Sequence, residues 1–337
     1  MRLKKWSGNP ILTPKKDVYW ERESVLNPGA YYENGKVSLF YRASGESEDL
    51  RIYIGLAEST DGFHFERVSD EPVLAPSEDG WDAGCIEDAR VVKIGDTYFM
   101  TYAARAHPPM AHWNGRPRKN LPAQTPTWTE NWTRSGIASS KDLRNWERLG
   151  PCTSDEVDNR DVVLFPEKIN GKYVMMHRAI DRSEKRFPQY CSAAIWLVYS
   201  GDMQTWAGEK LLARPEAEWE GGWMGAGPPP IKTDEGWLTI YHAVANLDGN
   251  GNAYRAGVML LDLDDPARII ARPPEFIMQP EEPFELKGAV DRVVFPCGNV
   301  VIGDELFVYY GAADSVCCVA TAGINDLLAW VMTFAGS

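Results

Sequence analysis

The chain has 337 residues, which is enough for one large domain or two ordinary ones. Its 35 lysines and arginines stand against 48 aspartates and glutamates, and the resulting net charge of −13 disfavours a general nucleic-acid or anionic-membrane surface. A content of 13 Trp, 14 Tyr and 11 Phe excludes a disordered chain, while 29 Gly and 23 Pro indicate the many short turns of a β-rich protein.

The N-terminal segment, residues 1–10, is basic and has no apolar stretch behind it. We therefore expect no secretory signal, and we expect no membrane span because no segment approaches roughly 20 apolar residues. The six cysteines are scattered without a C-x-x-C pair, which is typical of free thiols in a cytoplasmic protein. The five histidines show no ligand spacing, so we expect no metal.

One short pattern recurs five times along the chain, a glycine turn followed by an alternating apolar run. The turn glycines, which lie 60 to 76 residues apart, are Gly35, Gly95, Gly171, Gly236 and Gly303. Asn-Gly between such runs is a strong hairpin signal. A second pattern, Ser-x-Asp-x-x-x-aromatic, follows in three of the repeats and begins at Ser59, Ser140 and Ser200. Its aspartate is expected to close a tight turn with its own side chain.

Strand, hairpin, strand, turn and strand repeated five times predict an all-β fold, a five-bladed β-propeller that forms one catalytic domain over residues 1–337. A pair of β-sandwiches is the competing architecture, but it gives no reason for one turn motif to recur five times. Residues 9–14 resemble residues 71–76, an outer strand, so we expect an N-terminal strand to close the last blade. Residues 324–334 predict a short C-terminal helix packed on the outside.

The segment before each turn is expected to line the central channel of the propeller, where ligands bind. Polar residues interrupt these apolar segments. Burying a polar residue costs free energy unless it pairs with another group or takes part in binding or catalysis. Arg42, Arg178 and His242 follow their turns at matching positions, so we expect them to converge with Arg160. Several cations in one cavity of an acidic protein indicate an anionic ligand, and the arginine fork matches phosphate. Asp88 then supplies a single acid beside that site.

The motifs around these residues resemble those of the β-mannoside phosphorylases of glycoside hydrolase family 130 along nearly the whole chain. The matching segments are residues 87–91 (EDARV), 159–173, 225–228 (GAGP), 235–242 (EGWLTIYH), 260–266 (LLDLDDP), 295–297 (FPC) and 309–314 (YYGAAD). Two positions depart from the family pattern. Ala89 stands where a proline is common, and Trp223 stands where a basic residue often helps to hold phosphate.

The resemblance implies reversible, inverting phosphorolysis of a β-mannoside to α-mannose 1-phosphate, with phosphate as co-substrate and no other cofactor. It implies that Asp88 is the general acid and passes its proton through a hydroxyl of the bound mannose. It assigns phosphate to Arg42, Arg160, Arg178 and His242, and the −1 sugar to Asn27 and Asp314. We group Glu87, Arg90 and Asp161 with the substrate-binding residues, although Glu87 is expected to be a channel-wall residue and not a base.

Two other functions stay open, an inverting β-mannosidase that uses water and a carbohydrate-binding propeller without catalysis. An inverting hydrolase needs a second carboxylate about 6.5–9.5 Å from the acid, whereas phosphate is itself a nucleophile. Structural alternatives also remain for single residues. Asp88 could pair with Arg90 or cap a strand, and Arg160 could bridge to Asp158 or Asp161. Arg42 and Arg178 could form structural ion pairs between blades. His242 could be a core histidine, and Asp314 could cap a turn.

Two long insertions are predicted to select the second sugar of a manno-oligosaccharide or mannosyl disaccharide. Residues 105–133 include His107, His112, Trp113, Trp128 and Trp132, and residues 181–189 include Arg182, Lys185 and Arg186. Aromatic faces can stack on sugars, but a contact in a homo-oligomer is an equal alternative for these loops. Neither loop distinguishes β-1,2 from β-1,4 linkages.

Overall fold

The computed structural model describes residues 1–45, 51–109, 130–180, 188–190, 194–246 and 251–336. The protein is all-β, and the strands of these ranges group into five antiparallel units in chain order. Unit 1 contains β2 (Ser24–Glu33), β3 (Lys36–Ser44), β4 (Ile52–Ser59) and β5 (Glu66–Arg67). Unit 2 contains β6 (Cys85–Ile94), β7 (Thr97–Arg105), β8 (Arg134–Ser140) and β9 (Glu147–Pro151). A single parallel pair, Ile52 with Cys85, joins these two units into one sheet.

The other three units are separate sheets. Unit 3 contains β10 (Asp158–Leu164), β11 (Tyr173–Ile180), β12 (Ile195–Ser200) and β13 (Trp206–Ala213). Unit 4 contains β14 (Trp223–Ala226), β15 (Ile231–Lys232), β16 (Trp237–Asn246), β17 (Asn252–Leu261) and β18 (Ile269–Ala271). Unit 5 contains β19 (Val294–Ile302), β20 (Glu305–Ala312) and β21 (Val316–Gly323), with the N-terminal β1 (Lys4–Lys5) at its edge.

Helical structure in the described ranges is short. Two 3-10 turns lie at Pro188–Tyr190 and Glu218–Glu220, and the α-helices are α1 (Pro283–Leu286) and α2 (Ile324–Met332). The predicted C-terminal helix is therefore confirmed, and it buries Leu327, Leu328 and Val331 against the strands of units 4 and 5. No helix among the described residues is long and apolar enough to cross a membrane.

The two repeated turns predicted from the sequence are confirmed. Each of the five glycines precedes the long second strand of its unit and has a positive φ, from 62° at Gly303 to 153° at Gly236. In the second motif, Ser59 Oγ accepts hydrogen bonds from the backbone amides of Asp61 and Gly62. Asp61 Oδ1 accepts from the backbone amides of Phe63 and His64. The same bonds recur at Ser140–Asp142 and Ser200–Asp202.

The N-terminal segment closes unit 5, as predicted. Ile11 donates its amide to the carbonyl of Cys317 at 2.9 Å, and Cys317 donates to Leu12 at 3.1 Å. Leu74 pairs with Ile54 at the corresponding place in unit 1. The structure extends this pairing, because β1 also lies along β21 with Lys4 opposite Thr321. A strand edge that would otherwise be open is thereby covered.

A repeated buried cluster that the sequence reasoning missed ties the strands of a unit together. A carboxylate from the segment before the first strand accepts a hydrogen bond from a tyrosine of the second strand, and an arginine or lysine at the outer edge pairs with it. We call these clusters tyrosine triads; they are Tyr41–Glu21–Arg67, Tyr241–Glu220–Arg272 and Tyr310–Glu285–Lys5. Unit 2 keeps the ion pair of Asp82 with Arg148, at 2.8 Å.

All five units contribute residues to one cavity. This cavity of about 240 Å³ is lined by residues from the first strand of a unit or its adjoining segment in all five units, including Tyr31, Val92, Pro166, Pro229 and Asn299. The strands around it approach backbone to backbone. A Cβ added to Gly29 would lie 2.3 Å from the carbonyl oxygen of Ala89, so only glycine allows β2 and β6 to come this close.

Candidate active site

The first strands of units 1, 2 and 3 share a β-bulge that turns one polar side chain out of the regular sheet. Their registers shift between Leu26 and Gly29, between Glu87 and Arg90, and between Arg160 and Val163. Within the three bulges, Asn27, Asp88 and Asp161 adopt left-handed backbone with φ of 46°, 56° and 56°. Asn and Asp tolerate this conformation better than other side-chain-bearing residues. The bulge therefore accounts for equivalent polar residues in three different units.

Asp88 lies among polar partners from unit 1 and its own strand. Asn27 donates Nδ2 to Asp88 Oδ1 at 2.8 Å. Arg42 donates Nη1 to the same oxygen at 3.4 Å and lies closer, at 2.7 Å, to Glu87 Oε2. The Asp88 side chain keeps 14% of its surface exposed, whereas Asn27 and Glu87 are buried. Among these groups, Asp88 is thus a carboxyl that an incoming ligand can reach.

Arg90 contacts the backbone of Asp88 and also lies near a second carboxylate, that of Asp161. Its side chain is 1% exposed, and its guanidinium donates to the backbone carbonyls of Gly227, at 3.0 Å, and Asp88, at 2.7 Å. Its Nη2 lies 3.9 Å from Asp161 Oδ1. The structure therefore does not contain the ion pair of Asp88 with Arg90 that was the alternative, because Arg90 contacts the backbone carbonyl of Asp88 and not its carboxylate.

Asp161 lies in a largely buried group of side chains that we call the cationic cluster, which contains Arg90, Arg160, Arg178 and His242. Arg178 Nε donates to its Oδ2 at 2.5 Å, and His242 Nε2 lies 3.5 Å from the same oxygen. Burial opposes ionisation of Asp161, but the neighbouring charges, Arg178 first among them, outweigh it and lower its pKa to about 2. Gly225 makes this packing possible, because a Cβ there would lie 2.1 Å from Asp161 Oδ2.

Arg160 pairs with Asp158 rather than with Asp161. Its Nη2 contacts both carboxylate oxygens of Asp158, at 2.8 and 2.9 Å, and its Cα is the register partner of Arg178. One of the two bridges considered for Arg160 is therefore present. From the sequence, Asp158 is only one of two alternative partners, although residues i and i+2 of a strand share one face.

Several buried polar atoms of the candidate site have no hydrogen-bond partner in the part of the chain that the structure describes. They are Arg42 Nε, Arg160 Nε, Arg90 Nη2 and the two ring nitrogens of His242. Burial lowers the pKa of His242 to about 4, so its imidazole is neutral at pH 7. Leaving a buried polar group without a partner costs free energy, so the three guanidinium nitrogens and the single N–H of neutral His242 suit a ligand that accepts hydrogen bonds.

Asp314 is a further acid near Asp88. It has left-handed backbone with φ of 51°, and burial raises its pKa to about 6 against the attraction of Arg42. Glu87 differs, because the charges of Arg42 and Arg105 overcome its burial and keep its pKa below the usual range. Trp223 begins β14, and its ring lies 6.4 Å from that of Tyr254.

The insertions are described only at their bases. His112, Trp113, Trp128, Arg182, Lys185 and Arg186 lie outside the described residues. Asn131 joins the two ends of the first insertion, since its amide group accepts from the backbone of His107 and donates to it, both at 3.0 Å. Trp132 is half-buried beside them.

Comparison with known proteins identifies the family. Residues 2–333 match the glycoside hydrolase family 130 model, which is described as beta-1,4-mannooligosaccharide phosphorylase. The chain belongs to glycoside hydrolase family 130. The resemblance inferred from the motifs is thereby confirmed.

Members of family 130 with assigned activities resemble this chain over most of its length. A 1,2-beta-oligomannan phosphorylase of Thermoanaerobacter sp. (strain X514) is 40% identical over 333 residues, covering 97% of this chain and 99% of the relative. A beta-1,2-mannobiose phosphorylase of the same organism is 40% identical over 326 residues, covering 93% and 95%. The solved structure of a Listeria innocua beta-1,2-mannobiose phosphorylase with beta-1,2-mannobiose superposes with a TM-score of 0.80 at 28% identity, covering 99% and 100%.

Proposed function

We propose that this family 130 protein is an enzyme that cleaves β-mannosides with inorganic phosphate. The observation that carries the proposal is the reachable carboxyl of Asp88 beside a buried cationic cluster whose donors are partly unfilled. Phosphate offers several acceptor oxygens and matches arginine geometry. The two relatives described above at 40% identity are named as phosphorylases of β-1,2-linked mannosides. We therefore propose β-1,2-mannosides as the first substrates to test.

In the proposed reaction, Asp88 is the general acid and phosphate is the nucleophile. The bond from the anomeric carbon to the leaving oxygen breaks while a bond to a phosphate oxygen forms on the opposite face. The leaving oxygen takes the proton of Asp88 through a hydroxyl of the mannose, and α-mannose 1-phosphate results. Arg42, Arg160, Arg178 and His242 bind phosphate, while Asn27 and Asp314 bind the sugar. Phosphate replaces the second carboxylate of an inverting hydrolase.

The five units are proposed to be the blades of a five-bladed β-propeller that forms one domain. The supporting observations are the central cavity with residues of all five units and the N-terminal strand at the edge of unit 5. A cytoplasmic location is also proposed. The five described cysteines are buried free thiols, the form that a reducing compartment maintains.

Hydrolysis is a second candidate because a carboxylate, Asp161, occupies the cationic cluster. It could serve as the base that activates water opposite Asp88. However, a carboxylate with a pKa of about 2 is a weak general base near neutral pH. The same carboxylate would compete with phosphate for Arg178 and His242. Asp161 therefore distinguishes the two reactions.

The test is product analysis with purified protein and β-1,2- and β-1,4-mannobiose, with and without phosphate. We expect mannose 1-phosphate to form only with phosphate. Free mannose released without phosphate would establish the hydrolase. Absence of turnover on any mannoside would instead favour the non-catalytic carbohydrate-binding protein.

A further inference from the structure

Glu87 lies beside the proposed general acid, but the structure gives it protein partners on both carboxylate oxygens. Its Oε2 contacts Arg42 Nη1 at 2.7 Å. Its Oε1 accepts from the thiol of Cys85 at 3.1 Å and lies 3.6 Å from Arg105 Nε. The side chain is about one-tenth exposed. Little of Glu87 is left to contact a sugar directly.

The two adjacent carboxylates share one guanidinium nitrogen. Arg42 Nη1 lies 2.7 Å from Glu87 but 3.4 Å from Asp88, so Glu87 is the closer partner. An opposite charge in contact stabilises the ionised form of a carboxyl group, and a like charge nearby destabilises it. Glu87 therefore competes with Asp88 for this cation and leaves Asp88 the longer of the two contacts.

Glu87 is itself held in place by Arg105, which lies at the end of the neighbouring strand β7. Arg105 ends β7 and donates Nη1 to the carbonyl of Asn131 at 2.5 Å. Asn131 is the residue that joins the two ends of the first insertion through His107. The guanidinium that faces Glu87 Oε1 is thus anchored, and Cys85 fixes the same oxygen from two residues earlier in β6.

We propose that Glu87 is a positioning residue that holds Arg42 closer to itself than to Asp88, with Cys85 and Arg105 orienting its carboxylate. The inference rests on the proposed function, in which Asp88 must donate a proton. Without the charge of Glu87, Arg42 closes on Asp88 and stabilises its ionised form. The enzyme then loses its acid at a lower pH, while Arg160, Arg178 and His242 remain available to phosphate.

The test is the pH dependence of kcat for phosphorolysis in Glu87→Gln. We expect the alkaline limb to move down by about one pH unit, with activity recovering toward the wild-type value at lower pH. Glu87→Asp keeps the charge and shortens the reach, so its limb should move in the same direction by less. All variants are compared at one phosphate concentration, so that the titration of phosphate itself cancels.

Glu220→Gln is the matched control, since Glu220 is equally a buried carboxylate paired with an arginine at 2.7 Å but belongs to a tyrosine triad. It should lower the melting temperature without moving the limb. A uniform loss of kcat at every pH in Glu87→Gln, with no shift in Glu87→Asp, would overturn the inference and leave the phosphorylase proposal standing. Should Glu87→Gln fail to fold, the shift or constancy of Glu87→Asp decides. Wild-type protein without phosphate-dependent turnover would overturn both.

Discussion

At the scale of single residues, each arginine proposed to bind phosphate is paired with a carboxylate. Arg42 pairs with Glu87, Arg178 with Asp161, and Arg160 with Asp158. Burying an arginine is costly unless an acid accompanies it, so these pairs explain how the cations stay inside the protein. Because guanidinium groups have five donors, pairing still leaves atoms such as Arg160 Nε for phosphate.

The role of Asp88 can be tested by Asp88→Asn. Asparagine accepts the left-handed backbone of the bulge, as Asn27 does at the equivalent place with φ of 46°, so folding should be intact. We expect kcat to fall by roughly 10²–10⁴-fold, the usual contribution of a general acid, with an unchanged melting temperature. Asp96→Asn, on a side chain that is 94% exposed, is the control for kcat. Near-normal turnover in the first variant would exclude Asp88 as the acid.

At the scale of the elements, unit 3 differs from units 1 and 4, which each contain a tyrosine triad. At the position of Tyr41 and Tyr241, unit 3 has His177, and the residue across from it is Trp196 instead of a glycine. In units 1 and 4, a Cβ on the facing glycine would lie 2.2 to 2.4 Å from the tyrosine ring. In units 1 and 4 the tyrosine therefore needs the facing glycine, and unit 3 replaces both residues.

Removal of a triad hydroxyl should destabilise the fold without affecting the chemistry. Tyr241→Phe takes a hydrogen bond of 2.6 Å from the buried carboxylate of Glu220, and we expect a loss of about 1–3 kcal/mol in the free energy of unfolding. Urea denaturation measures this loss. Tyr199→Phe is the control, because the hydroxyl of Tyr199 has no hydrogen-bond partner among the described residues. Equal stabilities of the two variants would contradict the role of the triads.

At the scale of the whole molecule, buried histidines link stability to pH. Burial lowers the pKa of both His177 and His242 to about 4, from an ordinary value of 6.5. Between these two values the unfolded chain binds the protons and the folded protein does not. This contribution to stability is therefore complete above pH 6.5 and is lost as the pH falls toward 4. Asp314, whose pKa is raised to about 6, acts in the opposite direction over part of that range.

Comparison of a single-histidine variant with the wild type isolates this effect. We expect the wild type to lose about 2 kcal/mol per buried histidine between pH 7 and pH 5, relative to a variant without it. His177→Gln should therefore show a shallower decline in the free energy of unfolding over that interval, measured by urea denaturation. Parallel declines in the two proteins would show that His177 does not titrate in this way.

How far the sequence predicted the site depends on the distance over which each interaction acts. The bulge residues Asn27 and Asp88 were found because they interrupt apolar strands at repeated positions. The partners of the cations were largely missed, and Asp158 was weighed only as an alternative for Arg160. Cys85 and Arg105 were not assigned at all, since nothing local in the sequence marks a residue that orients a carboxylate.

The sequence by itself determined the repeat, the turns, the closing N-terminal segment, the terminal helix and the family. Turn conformation and strand alternation depend on neighbouring residues, so a single chain displays them. Only the tertiary structure decided which acid pairs with which arginine and where the tyrosine triads form. Those contacts join segments such as Arg42 and Glu87, or Lys5 and Glu285, that are far apart in the chain. Their energies depend on burial and distance, which exist only after the strands have packed.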